Sequence, residues 1–225
     1  MAEQSFQEKT EPATPKRREE LKREGKVRYI GVSNFNVEQM ERAKRIAPIT
    51  SLQPPYSLLS RSVESEVLPY TQRNDIGVIA YAPLYSGLLT GTLDVDTVAN
   101  LPPDDYRHQI KDFQQPRLSH NLRVTETLRS IGAHHGRTPS EVAISWVLRN
   151  PAVTGAIVGL RSAQEVGNAV GALDFRLTES EVRQIDAVSR RSLWQRLLVR
   201  GQEFWTDQLS PADEKRMPPP QGNES

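Results

Sequence analysis

Apolar residues along this chain gather into four short runs, at 27–32, 50–53, 76–81 and 153–158, each rich in β-branched or aromatic side chains. Runs of that length and composition predict strands. Each leads through a turn into a helical pattern, and single helical segments separate the first three: 37–46, opened by an Asn36 cap, and 63–73, following Ser62. This alternation predicts a parallel α/β arrangement. Between the third and fourth runs lies a stretch, 84–120, rich in Gly, Pro and Asp. It is too long for a simple connection, and connections of that length are commonly lids or binding loops.

Three later helix starts have the form of capping boxes, in which a cap hydroxyl and an acid three residues on satisfy free amides of the first turn. Thr138 with Glu141 opens a helix to about 149, with Pro139 at its first position; Ser162 with Glu165 opens one to about 170, and Thr178 with Glu181 one to about 189. Closing helix ends is a sufficient role for these acids. At the amino terminus, 1–14 is polar enough to predict disorder. A helix is expected over 15–26, with Thr14 as cap, Pro15 at its first position, charge pairing among Glu19, Glu20, Lys22 and Arg23, and Gly25 as its stop. At the other end 210–225 also predicts disorder, while Trp194, Leu197, Leu198, Phe204 and Trp205 give the segment before it apolar surface with which to dock.

Composition narrows the partners. With 29 basic against 28 acidic residues the net charge is +1, so no overall field draws in nucleic acid or an anionic membrane. No apolar run approaches the ~20 residues of a membrane helix, and the polar start lacks the apolar centre of a secretory signal, so a cytoplasmic location is expected. The chain has no cysteine, which removes disulfides, thiolate nucleophiles and Cys-based metal sites. His108, His120, His134 and His135 fall in the long connection or on the helix before Arg137, none at a strand end, so neither a metal nor a catalytic role is expected of them.

The segments VRYIGVSNF, SLQPPYSLLSR, GVIAYAPLYSGLLTG, RTPSEVAISWVLRNPAVTGAIVGLRSAQEV and GALDFRLTESEV, in this order, resemble the second half of an aldo-keto reductase over about residues 22–188. The resemblance implies a partial (β/α)8 TIM barrel, about strands five to eight with their helices, and a ligand at the carboxyl ends of the strands. It implies NADP(H) as cofactor and a small aldehyde or ketone as substrate. Ser33, Asn34 and Gln53 would hydrogen-bond the nicotinamide carboxamide, and Tyr81 would stack on its ring. Pro83 and Leu84 flank that tyrosine, and the loop carrying Ser86, Gly87 and Leu89 would fold over the pyrophosphate. Gly159, Arg161 and Ser162, before a capped helix, would take the 2′-phosphate, with Glu165 and Asn168 toward the adenine ribose. Here the chain departs from the family, which commonly has Glu then Gln where this sequence has Gln164-Glu165, and its adenine-side Asn one position after Asn168.

The same resemblance implies that the family's Asp, Tyr, Lys and His tetrad, which comes from the first four strands, has no counterpart in this chain. No residue is therefore expected to be catalytic, and the chain is expected to be inactive alone. A second resemblance concerns residues 1–20, where EKTEPATPKR is similar to the amino terminus of flagellar and type III secretion export switch proteins. The expected organisation is a leader over 1–21, a partial reductase domain over 22–190 and an extension over 191–225. A non-catalytic nucleotide-binding or interaction protein, or a secretion-linked fusion remnant, is the alternative. Four strands would leave two edges unpaired and expose an inner face that includes Ile30, Val32, Ile79 and Val158, so self-association or a partner completing the barrel is expected.

Overall fold

The computed structural model describes residues 15–189. The stretch 1–14 of the expected leader, the apolar side chains from Trp194 to Trp205 and the tail over 210–225 lie outside the described residues. Four strands, β1 (Gly31–Ser33), β2 (Ser51–Gln53), β3 (Gly77–Tyr81) and β4 (Val153–Ile157), form one parallel sheet in the order β1-β2-β3-β4. Helices α1 (Pro15–Arg23), α2 (Val37–Lys44), α3 (Val67–Arg73), α4 (Val95–Ala99), α5 (Arg117–His135), α6 (Pro139–Leu148), α7 (Ala163–Gly171) and α8 (Glu179–Ser189) accompany it. The expected parallel α/β arrangement is thus what the chain adopts.

The register decides which side of the sheet is core. Val32 pairs with Leu52 and Leu52 with Val78, and successive strand residues point to opposite faces, so these three share one face. All three are buried, with Met40, Ala43, Ile49, Tyr70 and Ile76 around the first two. Ile30 and Val32, expected on the exposed inner face, therefore lie on the helix side, because strand period places them out of phase with Ser33. Ile79 is exposed as expected, and Val158 is half-buried. The register shifts between Val78 and Ile79, whose partners are Val153 and Gly155. The extra Thr154 keeps Ala156 in phase with Ala80 and Ile157 in phase with Tyr81.

Helix ends follow the local chemistry closely. Gly25 takes φ +70°, and the amides of Gly25 and Lys26 return to the carbonyls of Lys22 and Leu21, a Schellman stop to α1. Gly136 ends α5 in the same way, at φ +63°, with Arg137 bonded to Gly132. Asn36 and Gln39 cap α2 reciprocally, as Thr138 and Glu141 cap α6. The segment expected as one helix over 63–73 instead breaks into a 3-10 turn, Ser62–Glu64, and α3 from Val67. Pro69 is the reason: starting at Val67 places it in the first turn, where no amide is needed, whereas a start at 63 would set its ring against the carbonyl of Ser65.

The long connection is a packed substructure. It contains a 3-10 stretch at Tyr85–Thr90, α4, two further 3-10 turns, and then the first turn of α5, which begins at Arg117. Leu88, Val98, Phe113 and Leu118 form its own small core. The Tyr85 hydroxyl donates to the Asp112 carboxylate, and Asn121 Nδ2 donates to the Asp112 carbonyl at 3.0 Å. Leu118 with Leu122, and Val124 with Leu128 and Ile131, at spacings of four and three, are the sequence signal for the long helix α5. His120 accordingly stands on α5, not in a loop.

Behind the sheet the main core joins α5, α6 and α8 to β3 and to the segment after β2, with Tyr56, Leu89, Leu128, Trp146 and Ile185 fully or almost fully enclosed. Arg61 ties these elements together. Its Nε meets both oxygens of Glu64 at 3.0 Å, its Nη1 meets Asp186 at 2.7 Å and Ser189 at 3.2 Å, and its guanidinium carbon lies 4.7 Å from the Trp146 ring centre. Burial, and then the Glu64 carboxylate that accepts its hydroxyl at 2.8 Å, hold Tyr56 well above the usual phenol range. His135 and Glu181, 2.6 Å apart, link α5 to α8.

Two stability predictions follow from this packing. Leu52→Ala, at a completely enclosed position, is expected to lose about 3 kcal/mol in urea unfolding. Burial raises the pKa of Glu141, but the Thr138 amide and hydroxyl at 2.7 and 2.8 Å and Arg137 at 3.0 Å outweigh it, leaving the carboxyl below its ordinary value. A depressed carboxyl contributes stability above its unfolded pKa, about 4.3, and loses it as pH falls through the folded value. Glu141→Gln is therefore expected to flatten the acid-side fall of the urea midpoint; an unchanged slope would contradict this.

Candidate functional site

The carboxyl ends of β1, β2 and β3 lie side by side because parallel pairing sets Ser33 opposite Gln53. Gln53 is the anchor of the group. Its backbone carbonyl accepts from the Ser33 hydroxyl at 2.9 Å and from the Asn34 amide at 3.1 Å. Asn34 leaves the strand with φ +60°, a left-handed turn that asparagine tolerates better than most residues, and this aims its side chain across the sheet. The Tyr81 hydroxyl donates to Asn34 Oδ1 at 3.0 Å. Tyr81 is itself pinned through its backbone, its amide bonded to the Pro54 carbonyl at 3.0 Å and its carbonyl to the Tyr56 amide at 3.2 Å.

Ser33, Asn34, Gln53 and Tyr81 thus form one neutral, polar cluster on the sheet face opposite the helices. Ile79 and Ile157, at 37% and 43% exposure, give that face apolar surface beside the polar ends. Close approach is built into the same face by Gly31, where a Cβ would come within 2.4 Å of Ser51 Oγ. Such a surface offers amide and hydroxyl groups to a planar polar group and apolar side chains to the ring that carries it.

Beyond Tyr81 the chain holds successive left-handed residues, Tyr85 at φ +47°, Ser86 at +53° and Gly87 at +96°, after Ala82 at +52°. Ser86 and Gly87 stay half-exposed, their small size leaving the backbone approachable. Pro83 and Leu89 are buried, Leu84 packs against the main core, and the Leu89 amide is already bonded to the Leu84 carbonyl at 3.2 Å. Pro83 and Leu89 shape the loop from behind, while Leu84 keeps part of its side chain at the surface.

After β4, Gly159, Arg161 and Ser162 are all exposed ahead of α7. Tyr81 pairs with Ile157, which sets Gly159 at the same carboxyl end of the sheet as the polar cluster. Ser162 Oγ accepts from the Glu165 amide at 3.2 Å as expected, but the Glu165 carboxylate takes the Arg161 amide at 2.6 Å, one residue before the cap amide that a reciprocal box would use. Asn168 is half-buried on α7. Tyr85, in the loop after β3, is tied to Asp112. What sequence reasoning missed is the support around Tyr81 from Pro54 and Tyr56. The PPY string that follows Gln53 is its only local signal.

Among the described residues no group of three or more metal-ligating side chains is positioned to hold an ion, and no helix is long and apolar enough to cross a membrane. A profile of the aldo/keto reductase family matches residues 10–190. Aldo-keto reductase YhdN of Bacillus subtilis is 31% identical over 175 residues, 77% of this chain and 52% of its own length. Probable aldo-keto reductase 1 of Glycine max is 32% identical over 165 residues, 73% of this chain and 47% of its own. Among solved structures, the glycerol dehydrogenase AKR11B4 of Gluconobacter oxydans superposes with a TM-score of 0.72 at 32% identity, covering 77% of this chain and 52% of that protein. The thermostable aldo-keto reductase Tm1743, solved with the inhibitor epalrestat, superposes with a TM-score of 0.57 at 25% identity and similar coverage. The chain spans about half the length of the relatives it matches. With a matching profile over most of its length, relatives in two distant organisms and the same parallel α/β scaffold, it belongs to the aldo/keto reductase family.

Proposed function

We propose that this chain is the NADP(H)-binding half of an aldo-keto-reductase-type oxidoreductase, a partial (β/α)8 barrel whose chemistry is aldehyde or ketone reduction. The observation that carries the reading is the convergence of Ser33, Asn34, Gln53 and Tyr81 at three adjacent strand ends, the place where barrels of this class hold ligands. The residues fit the group. The Gln53 side-chain amide makes no hydrogen bond among the described residues, so it has donors and an acceptor to give a carboxamide. Asn34 and Tyr81 hold each other in place, and Tyr81 presents its ring beside the exposed Ile79.

A bound dihydronicotinamide would supply a hydride. Ser33, Asn34 and Gln53 would fix which ring face is offered, and Ser86 and Gly87 would bring backbone to the pyrophosphate. Arg161 would pair with the 2′-phosphate; its amide is held by the Glu165 carboxylate at 2.6 Å. No residue of the chain is assigned to the family's tetrad, and without a placed proton donor hydride transfer would leave an unneutralised alkoxide. Binding without turnover is therefore the expected behaviour, which is also that of a non-catalytic nucleotide-binding module.

NADPH fluorescence titration of the purified chain is expected to saturate, with no carbonyl-dependent oxidation. Absence of binding would remove the cofactor reading, and carbonyl-dependent oxidation would remove the inactive one. Arg161→Ala is expected to weaken NADP about tenfold more than NAD, the scale of one charge-assisted contact; an equal effect on both would reject its phosphate role. At Asn34, alanine and glycine both delete the acceptor for Tyr81 and should weaken NADPH alike. In urea unfolding, Asn34→Ala should be less stable than Asn34→Gly by about 1 kcal/mol, since only alanine is strained at φ +60°. Equal midpoints would contradict it.

A further inference from the structure

Three residues with side chains, Ala82, Tyr85 and Ser86, stand in the left-handed region where β3 passes into the long connection, at φ +52°, +47° and +53°. In that region a Cβ crowds the following carbonyl oxygen, a cost that glycine escapes. Of the run 85–87, only Gly87, at φ +96°, has that relief. Strained backbone persists where its surroundings over-determine it, and it collects at ligand clamps.

Two grips on this segment lead to α5. Thr125 Oγ1 donates to the Leu88 carbonyl at 2.7 Å. One turn earlier, Asn121 Nδ2 donates to the Asp112 carbonyl at 3.0 Å, and Arg117 Nη1 lies 3.7 Å from Asp112 Oδ1. The other carboxylate oxygen of Asp112 accepts the Tyr85 hydroxyl, 27 positions away in the chain. Asp112, Asn121 and Thr125 are all buried. The loop is thus held at Tyr85 and again at Leu88, with Ser86 and Gly87 between the two grips.

Local bonding leaves one group of this loop open. The Tyr85 amide returns to the Ala82 carbonyl, and the Gly87 and Leu89 amides both return to the Leu84 carbonyl. The half-exposed Ser86 amide makes no hydrogen bond among the described residues. Leu84, at φ −97° and ψ 5°, followed by left-handed Tyr85, turns successive amides to one side, a concavity suited to anionic oxygen. That shape exists only while Tyr85 stays left-handed.

We propose that the Tyr85–Asp112 hydrogen bond is a latch, with which the long connection keeps Tyr85 left-handed and presents the Ser86 amide to the cofactor pyrophosphate. Both are positioning residues, acting through the backbone at Ser86. The Tyr85 ring, packed against the main core and the small core of the connection, locates the residue. Its hydroxyl, bonded to a carboxylate and so more strongly than to a neutral group, sets the orientation. A loop ordered in advance loses less freedom when a ligand binds. The inference rests on the cofactor reading above.

Tyr85→Phe removes one oxygen and keeps the ring. It is expected to weaken NADPH about fivefold in fluorescence titration, the scale of one hydrogen bond, and Asp112→Ala should match it. Asp112→Asn keeps an acceptor for the hydroxyl and should bind NADPH as the unsubstituted chain does. In phosphorus NMR of the Tyr85→Phe complex, the pyrophosphate resonances are expected to move toward those of free NADPH while the 2′-phosphate resonance stays, a split that general loosening of the fold would not give. Unchanged NADPH affinity, or equal movement of all the phosphorus resonances, would overturn the proposal. Hydrogen exchange on the ligand-free chain keeps the outcome separate from the cofactor reading: Tyr85→Phe should speed exchange at the Gly87 and Leu89 amides about fivefold and leave Val78 unaltered. That result in a chain that binds no NADPH sinks the cofactor and supports the latch, whereas unaltered exchange at Gly87 and Leu89 overturns the latch whether or not NADPH binds.

Discussion

In-phase parallel pairing of the first three strands is the constraint on which the remainder depends. Val32, Leu52 and Val78 lie in one row, and once they are enclosed by the helices, every alternate residue must face the other way. A slip of one residue in β2 would send Ser51 and Gln53 into the core and Leu52 out of it. Burial of a few aliphatic side chains therefore aims the polar strand ends. The bulge at Thr154 extends the same phase to β4, so that Ile157 stands beside Tyr81.

The polar cluster is held by backbone more than by side-chain pairing. Gln53 spends its carbonyl on Ser33 and Asn34, while its side-chain amide makes no hydrogen bond among the described residues. Tyr81 is fixed at three points, two of them through its main chain. The support comes from the Pro54–Tyr56 segment, and Tyr56 in turn is fixed by Glu64, by packing 5.4 Å from Trp146, and through Glu64 by Arg61. Arg61 reaches α8 at Asp186, so positioning of the strand ends runs back to the last described helix. Guanidinium suits this joint because its planar fork serves Glu64 and Asp186 at once while its face lies over Trp146.

The segment after β4 is arranged differently. Where the first cluster is rigid and neutral, the segment from Gly159 to Ser162 is exposed and closed by a carboxylate of its own helix. The swapped order Gln164-Glu165 is what lets Glu165 reach the Arg161 amide, so a departure legible in the sequence has a local electrostatic consequence that only the geometry defines.

The sequence by itself determined the strand and helix order, the caps at Asn36, Thr138 and Ser162, the stop at Gly25 and the resemblance that located Ser33, Asn34, Gln53 and Tyr81. Those features rest on neighbours a few residues apart, on periodicity, or on motifs read whole. Tertiary structure decided the rest. Ile30 and Val32 face the helices, because phase within a sheet is set by all its strands together. The start of α3 at Val67 and the length of α5 were written in Pro69 and in the Leu118 to Ile131 spacing, though a reading that took 63–73 as one helix and 84–120 as a loop passed over both signals. Leu84 and Leu89 pack into the core and Tyr85 turns to Asp112, because the long connection folds on a core of its own. The joint from Arg61 to Asp186 spans 125 positions, a distance across which no local pattern carries information and only closure of the core brings charge to charge.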